Sequence, residues 1–180
     1  MSLGKKLIKP DQTIVKIKYF TSMVYRDSNL DSFGLNKYQR QNRYIKALRT
    51  LSEVEIFFGR HQKNEIICKK CKRILSKFTE KMTDVNIAVE IFKDAHKNNC
   101  ETQILISGDT DLVPITKAIY ENFDIKLLVF FPPSRETDRL KKFCHFSNKI
   151  FEHIIKTSQF ADIVVNDDNF KIIKPKYWNY

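Results

Sequence analysis

Glycine and proline are scarce in this chain of 180 residues, with four Gly and five Pro. That excludes a Gly/Ser linker, a low-complexity block and a phosphate loop of the G-x-G-x-x-G kind. The four cysteines, Cys68, Cys71, Cys100 and Cys144, are too few and too scattered for a disulfide scaffold. No apolar run approaches the roughly 20 residues that span a bilayer. The opening Met1-Ser-Leu-Gly-Lys-Lys lacks the apolar core and cleavage pattern of a secretory signal. The expectation is a soluble protein of a reducing, cytoplasmic compartment with no membrane partner. Acidic residues are the minority: 21 Asp+Glu against 32 Lys+Arg, a net charge of +11. That balance points to a polyanionic partner, most often nucleic acid. The 24 Lys against 8 Arg, beside much Ile, Asn and Phe, equally match a composition set by AT-rich coding.

Enough apolar material is present to fold. Hydrophobic residues make up 42% and aromatics 12%, which excludes wholesale disorder. Ile14–Val24 and Val54–Gly59 are β-branched and aromatic and read as strands. Leu35–Leu51 and Thr83–Lys97 carry apolar residues at helical spacing. Thr102–Ser107 and Lys126–Phe131 are short apolar runs, followed by helix-like Leu112–Asn122 and Thr137–Cys144. Such alternation predicts strands buried on both faces of a mostly parallel α/β sheet. One domain is expected over residues 1–165, with 166–180 as a polar, loosely ordered tail.

The most informative stretch is Ile104-Leu-Ile-Ser-Gly-Asp-Thr-Asp-Leu-Val-Pro114. A buried strand ends there and a helix begins. In open α/β sheets ligands bind beyond the carboxyl ends of the strands, where Asp109 and Asp111 would project. Gly108 permits a tight turn or the close approach of a phosphate. Capping is the plainer explanation: it suits Asp111 well and Asp109 poorly. It leaves aside Asp84, another carboxylate at a helix start, beside the N-cap candidate Thr83. Three carboxylates at one sheet edge would repel unless a cation such as Mg²⁺ or Mn²⁺ neutralised them. Such a site suits phosphodiester hydrolysis, and a basic exterior would hold the backbone.

At these residues the sequence resembles the NYN-domain proteins, a LabA-like branch of the PIN-like nucleases. The resemblance covers most of the chain. It is carried by Lys18-Tyr-Phe-Thr21, Arg40-Gln41 through Leu48, and Glu80-Lys-Met-Thr-Asp-Val-Asn-Ile-Ala88. Ser107-Gly-Asp-Thr-Asp-Leu-Val-Pro114, Phe131-Pro-Pro133 and Ser158-Gln-Phe160 complete it. It implies a PIN-like (Rossmann-like) three-layer α/β/α fold. It also implies a metal-dependent ribonuclease site, with Asp84, Asp109 and Asp111 as catalytic acids and ligands of Mg²⁺ or Mn²⁺. Ser107, Gly108 and Thr110 would bind substrate beside them, with Ser107 and Thr110 also supporting the acids, and no small-molecule cofactor is implied. Glu90 falls about 240° around the helix from Asp84, at 3.6 residues per turn. The family opens with a strand bearing an Asp, followed shortly by an Asn. Here only Met1–Thr13 precede the second-strand match, and Leu7-Ile-Lys-Pro10 looks like the end of the first helix. The domain is therefore expected to be N-terminally incomplete. The alternative function is a non-catalytic RNA-binding or regulatory module with a degraded nuclease site.

Cys68-Lys-Lys-Cys71 is a single C-x-x-C, with His61 seven residues upstream. A structural zinc site needs four ligands, so the choices are zinc, ordinary reduced thiols or redox use. Lys37, Arg40, Arg43, Lys46 and Arg49 recur at spacing three; Arg40 and Arg43 could track RNA phosphates, or the stripe is a solvated helix face. Lys69, Lys70, Lys72 and Arg73 form a second basic cluster, and Arg135, Arg139, Lys141 and Lys142 a third. Tyr19, Tyr25, Tyr38 and Tyr44 are either base-stacking or core aromatics.

Overall fold

The computed structural model describes residues 3–23, 32–67, 69–166, 168–175 and 178. In chain order the elements are α1 (Leu3–Leu7), β1 (Ile17–Thr21), α2 (Ser32–Leu48), β2 (Val54–Phe58), β3 (Arg60–Ile67), β4 (Ile74–Lys81) and α3 (Thr83–His96). There follow β5 (Thr102–Ile106), a 3₁₀ turn (Thr110–Leu112), α4 (Val113–Asn122), β6 (Lys126–Phe131), α5 (Asp138–Lys141), β7 (Phe146–Lys149), α6 (Glu152–Lys156), β8 (Ile163–Val165) and β9 (Lys171–Ile173). The expected strands and helices are present, shorter at some ends. The strand expected over Ile14–Val24 is β1, and Val24 lies outside the described residues, as do Tyr25 and Cys68.

The chain divides into two compact units. One comprises Met1–Val15 and Asp84–Gln159, the other Lys16–Thr83 and Phe160–Tyr180. In the first, β5, β6 and β7 form a three-stranded parallel sheet. One face of it is closed: Leu127, Val129 and Phe131 are fully buried, together with Leu105. Ile87 and Ile91 from α3, Val113 and Ile115 from α4, and Leu140 from α5 pack on this face. Gln103 points the same way and donates from Nε2 to Ile91 O at 2.9 Å. The opposite face is thinner, with Ile106 44% and Phe146 50% exposed. The parallel sheet agrees with the expected α/β class.

β5 is an edge strand among the described residues, since it pairs only with β6. Its ladder starts at Lys126 N–H to Glu101 O and ends at Ser107 N–H to Phe130 O. Parallel pairing alternates, so Gln103 and Leu105 bond β6 while the backbones of Thr102, Ile104 and Ile106 face the open edge. In the other unit, β1 pairs in parallel with β2 alone.

That second unit holds the largest difference from the sequence reading. β3 and β4 make an antiparallel hairpin with Ile67 opposite Ile74 and Arg60 opposite Lys81. Charged residues fill both its faces, so no apolar alternation betrays it in the sequence. Part of the segment expected as a tail is ordered strand. β9 pairs antiparallel with β8, and Ile172 is buried. Tyr44, on α2, is an edge-on neighbour of Tyr19, Phe160 and Trp178 at ring separations of 5.9, 6.1 and 6.3 Å. Tyr19 and Tyr44 are thus core aromatics rather than stacking platforms.

Burial pushes the Tyr44 hydroxyl up to about 12, and Tyr19 adds to the shift. The folded state therefore holds the proton that the unfolded chain gives up near pH 10. The stabilisation is whole below pH 10 and is lost as pH rises towards 12. Denaturant titrations should show stability falling by about 2–3 kcal/mol more across this window in the wild type than in Tyr44→Phe. Equal falls would contradict the buried position of Tyr44.

Candidate functional site

The turn after β5 is tied down locally. The Ser107 hydroxyl oxygen accepts from Asp109 N–H at 3.1 Å. Asp109 Oδ1 accepts from Asp111 N–H at 3.0 Å, which makes Asp109 the cap of the 3₁₀ turn Thr110–Leu112. The capping expectation is therefore inverted: Asp109 caps and Asp111 does not. Three residues after the end of β5, the Asp109 side-chain oxygen bonds the Asp111 N–H of the turn. α4 then starts from Leu112 with no side-chain cap, aided by Pro114 in its first turn. The carboxylate of Asp111 makes no bond to the described residues, nor does the second oxygen of Asp109; both side chains are exposed, as is Thr110.

Gly108 serves packing. A Cβ there would overlap the Arg135 carbonyl oxygen and crowd the Arg135 Cβ at 2.8 Å. The space expected for a phosphate is occupied by the Arg135 backbone. Arg135 was seen in the sequence only as one of a basic cluster. The signal that marks it is its place just beyond the carboxyl end of β6, beside β5. Lys141 is not available in the same way: it pairs with Glu136 at 2.6 Å and Asp138 at 3.0 Å, which raises its pKa.

Asp84 is exposed in the first turn of α3. α3 runs back over β5, with Ile91 O at Gln103 and Ile87 in the cluster of Leu105. The start of α3 and the end of β5 therefore lie at the same end of the sheet. Glu90 is buried and pairs with Lys93 at 2.5 Å, so it belongs to the helix and not to the acidic end. Among the described residues no group of three or more His, Cys, Asp and Glu side chains is gathered as a metal site. The donor chemistry still suits a hard cation, because Mg²⁺ is commonly held by one or two carboxylates with water and substrate oxygens filling the rest.

The other expected residues lie in the second unit. Arg40 and Arg43 are on α2, half-buried and exposed respectively. Two of the three residues of the zinc reading, His61 and Cys71, lie at different ends of the hairpin. His61 sits opposite Glu80 near the base of the hairpin, whereas exposed Cys71 is in its turn. Six residues of extended strand separate His61 from the Ile67–Ile74 end, about 20 Å at 3.4 Å per residue. Cys68 lies outside the described residues.

The NYN domain profile matches residues 8–151. This chain belongs to the NYN-domain family. NYN domains are grouped with the PIN-like nucleases, in agreement with the acidic turn. Among curated proteins the NYN chain is similar to 6-hydroxy-3-succinoylpyridine 3-monooxygenase HspA of Pseudomonas putida. They are 28% identical over 158 residues, covering 77% of this chain and 48% of that protein. The chain thus spans about half the length of that relative. Among solved structures it is similar to a protein of unknown function from Vibrio parahaemolyticus RIMD 2210633. The TM-score is 0.46 at 20% identity, with 77% of this chain and 70% of that chain covered. No helix among the described residues is long and apolar enough to cross a membrane.

The Gly108–Arg135 approach is open to test. Gly108→Ala should lower the thermal midpoint, since overpacking a tight contact costs about 1–3 kcal/mol. An unchanged midpoint would contradict the close approach.

Proposed function

We propose that this NYN chain cleaves RNA phosphodiester bonds in a divalent-metal-dependent way. The observation that carries the proposal is the exposed carboxylates Asp109 and Asp111 beyond the carboxyl end of β5. Asp84 at the same end of the sheet supports it. Asp84 and Asp109 would hold Mg²⁺ or Mn²⁺, with Asp111 as a further ligand or water-orienting group. When bound, the cation polarises a phosphoryl oxygen and supplies an activated water. The chain's own residues do the positioning. Ser107 fixes the Asp109 backbone, and Asp109 fixes the start of the turn that presents Asp111. Arg40 and Arg43 are proposed as phosphate contacts on α2. The monooxygenase activity in the name of the Pseudomonas putida relative is not carried over, because this chain spans only 48% of that protein.

A second reading is an RNA-binding module without turnover. It is favoured by the lack of a three-ligand group among the described residues. One substitution separates structure from chemistry. Asparagine caps a helical turn about as well as aspartate, so Asp109→Asn keeps the turn and removes the charge. Cleavage of an RNA oligomer in Mn²⁺ should fall at least about a hundredfold in this variant, with thermal stability kept. Unchanged cleavage would overturn the site, and retention of RNA by an inert wild type would favour the second reading.

A further inference from the structure

The β3–β4 hairpin carries more than half of the chain's excess charge. Between Arg60 and Lys81 there are eight Lys+Arg and two Glu, a net +6 of the total +11. Its outer end carries exposed side chains. Glu65, Ile66 and Ile67 on β3 and Ile74 on β4 are all exposed, the last two isoleucines at 62% and 64%. In the turn, Lys69, Lys70, Lys72 and Arg73 are also exposed. Lys72 sits at φ 58, in the left-handed region that a side chain adopts at some cost. Eight-residue strands make a ribbon about 27 Å long at 3.4 Å per residue.

Nothing in the fold accounts for this composition. A two-stranded ribbon is marginal in water, and here Ile66, Ile67 and Ile74 remain exposed. Four cations crowded into one turn repel each other, and Glu65 pairs with Lys63 at 3.7 Å, away from the turn. The repulsion is relieved when a polyanion crosses the tip and its counterions are released. The turn holds no aromatic side chain, so it is suited to phosphates rather than to stacked bases.

We infer that the tip of the β3–β4 ribbon is an RNA-backbone contact that grips phosphates without reading sequence, through Lys69, Lys70, Lys72 and Arg73. The inference rests on the RNA reading above and adds a second contact surface, outside the acidic turn. It differs from the α2 arginines, which lie on a helix of the same unit.

The test is binding of the full chain to a labelled oligouridylate in EDTA, over a range of salt. The quadruple variant Lys69→Gln, Lys70→Gln, Lys72→Gln, Arg73→Gln should bind at least about tenfold more weakly. Its plot of log affinity against log salt should flatten by up to about 3, at roughly 0.7 per lost phosphate contact. Lys69→Arg, Lys70→Arg, Lys72→Arg keeps the charge and should bind like the wild type, which guards against a merely misfolded turn. Equal affinity and slope in the quadruple variant would overturn the ribbon contact while leaving the RNA reading intact. A wild type that does not bind the oligomer at all would overturn both.

Discussion

The parallel ladder between β5 and β6 is the constraint on which the acidic unit depends. It is closed at one end by Lys126 N–H to Glu101 O at 3.0 Å and at the other by Ser107 N–H to Phe130 O at 3.2 Å. Because pleat and hydrogen bonding alternate together, this register sends Gln103 and Leu105 to the helices and leaves Ile104 and Ile106 on the thinner face. A slip of one residue would exchange the two sets. The last ladder bond falls on Ser107, so the chain is free to turn only from Gly108 onward. The turn then has no latitude: Arg135 crowds Gly108 on one side, and Asp109 is fixed by Ser107 and Asp111. The direction in which the acids leave the sheet is thus a consequence of strand pairing.

Much of this was legible in the residues. Apolar runs at Thr102–Ser107 and Lys126–Phe131 announce strands because only buried strands tolerate such density. Asp109 and Asp111 stand out because a strand end followed at once by a helix is where α/β sheets present ligands. The division of labour between the two was not legible. Which aspartate caps depends on one turn's geometry, and the sequence permits either. The β3–β4 ribbon was hidden for a different reason. A strand is recognised by alternation against a core, and a ribbon with charged and polar residues on both faces has none. β8 and β9 were missed because strands of three residues lie below the length at which a period can be seen. The His61–Cys71 pairing looked plausible along the sequence, and extended strand geometry separates it.

Charge is distributed to match the two surfaces. The chain's positive excess is concentrated in the ribbon and α2, and the exposed carboxylates stand at the end of the parallel sheet. Both belong to one task if the substrate is a polyanion: cations hold the backbone, and acids gather the cation that neutralises the scissile phosphate. The exposed backbone along β5 adds a constraint of its own, because an edge strand in a parallel sheet leaves half its amides without a partner in the ladder.

Amide hydrogen exchange along β5 tests this arrangement most directly. The N–H groups of Gln103, Leu105 and Ser107 bond β6 and should exchange slowly. Those of Thr102, Ile104 and Ile106 face the open edge and should exchange much faster, in strict alternation. Uniform protection from Thr102 to Ser107 would mean that β5 is paired on both sides, and would contradict the edge-strand sheet on which the acidic turn is built.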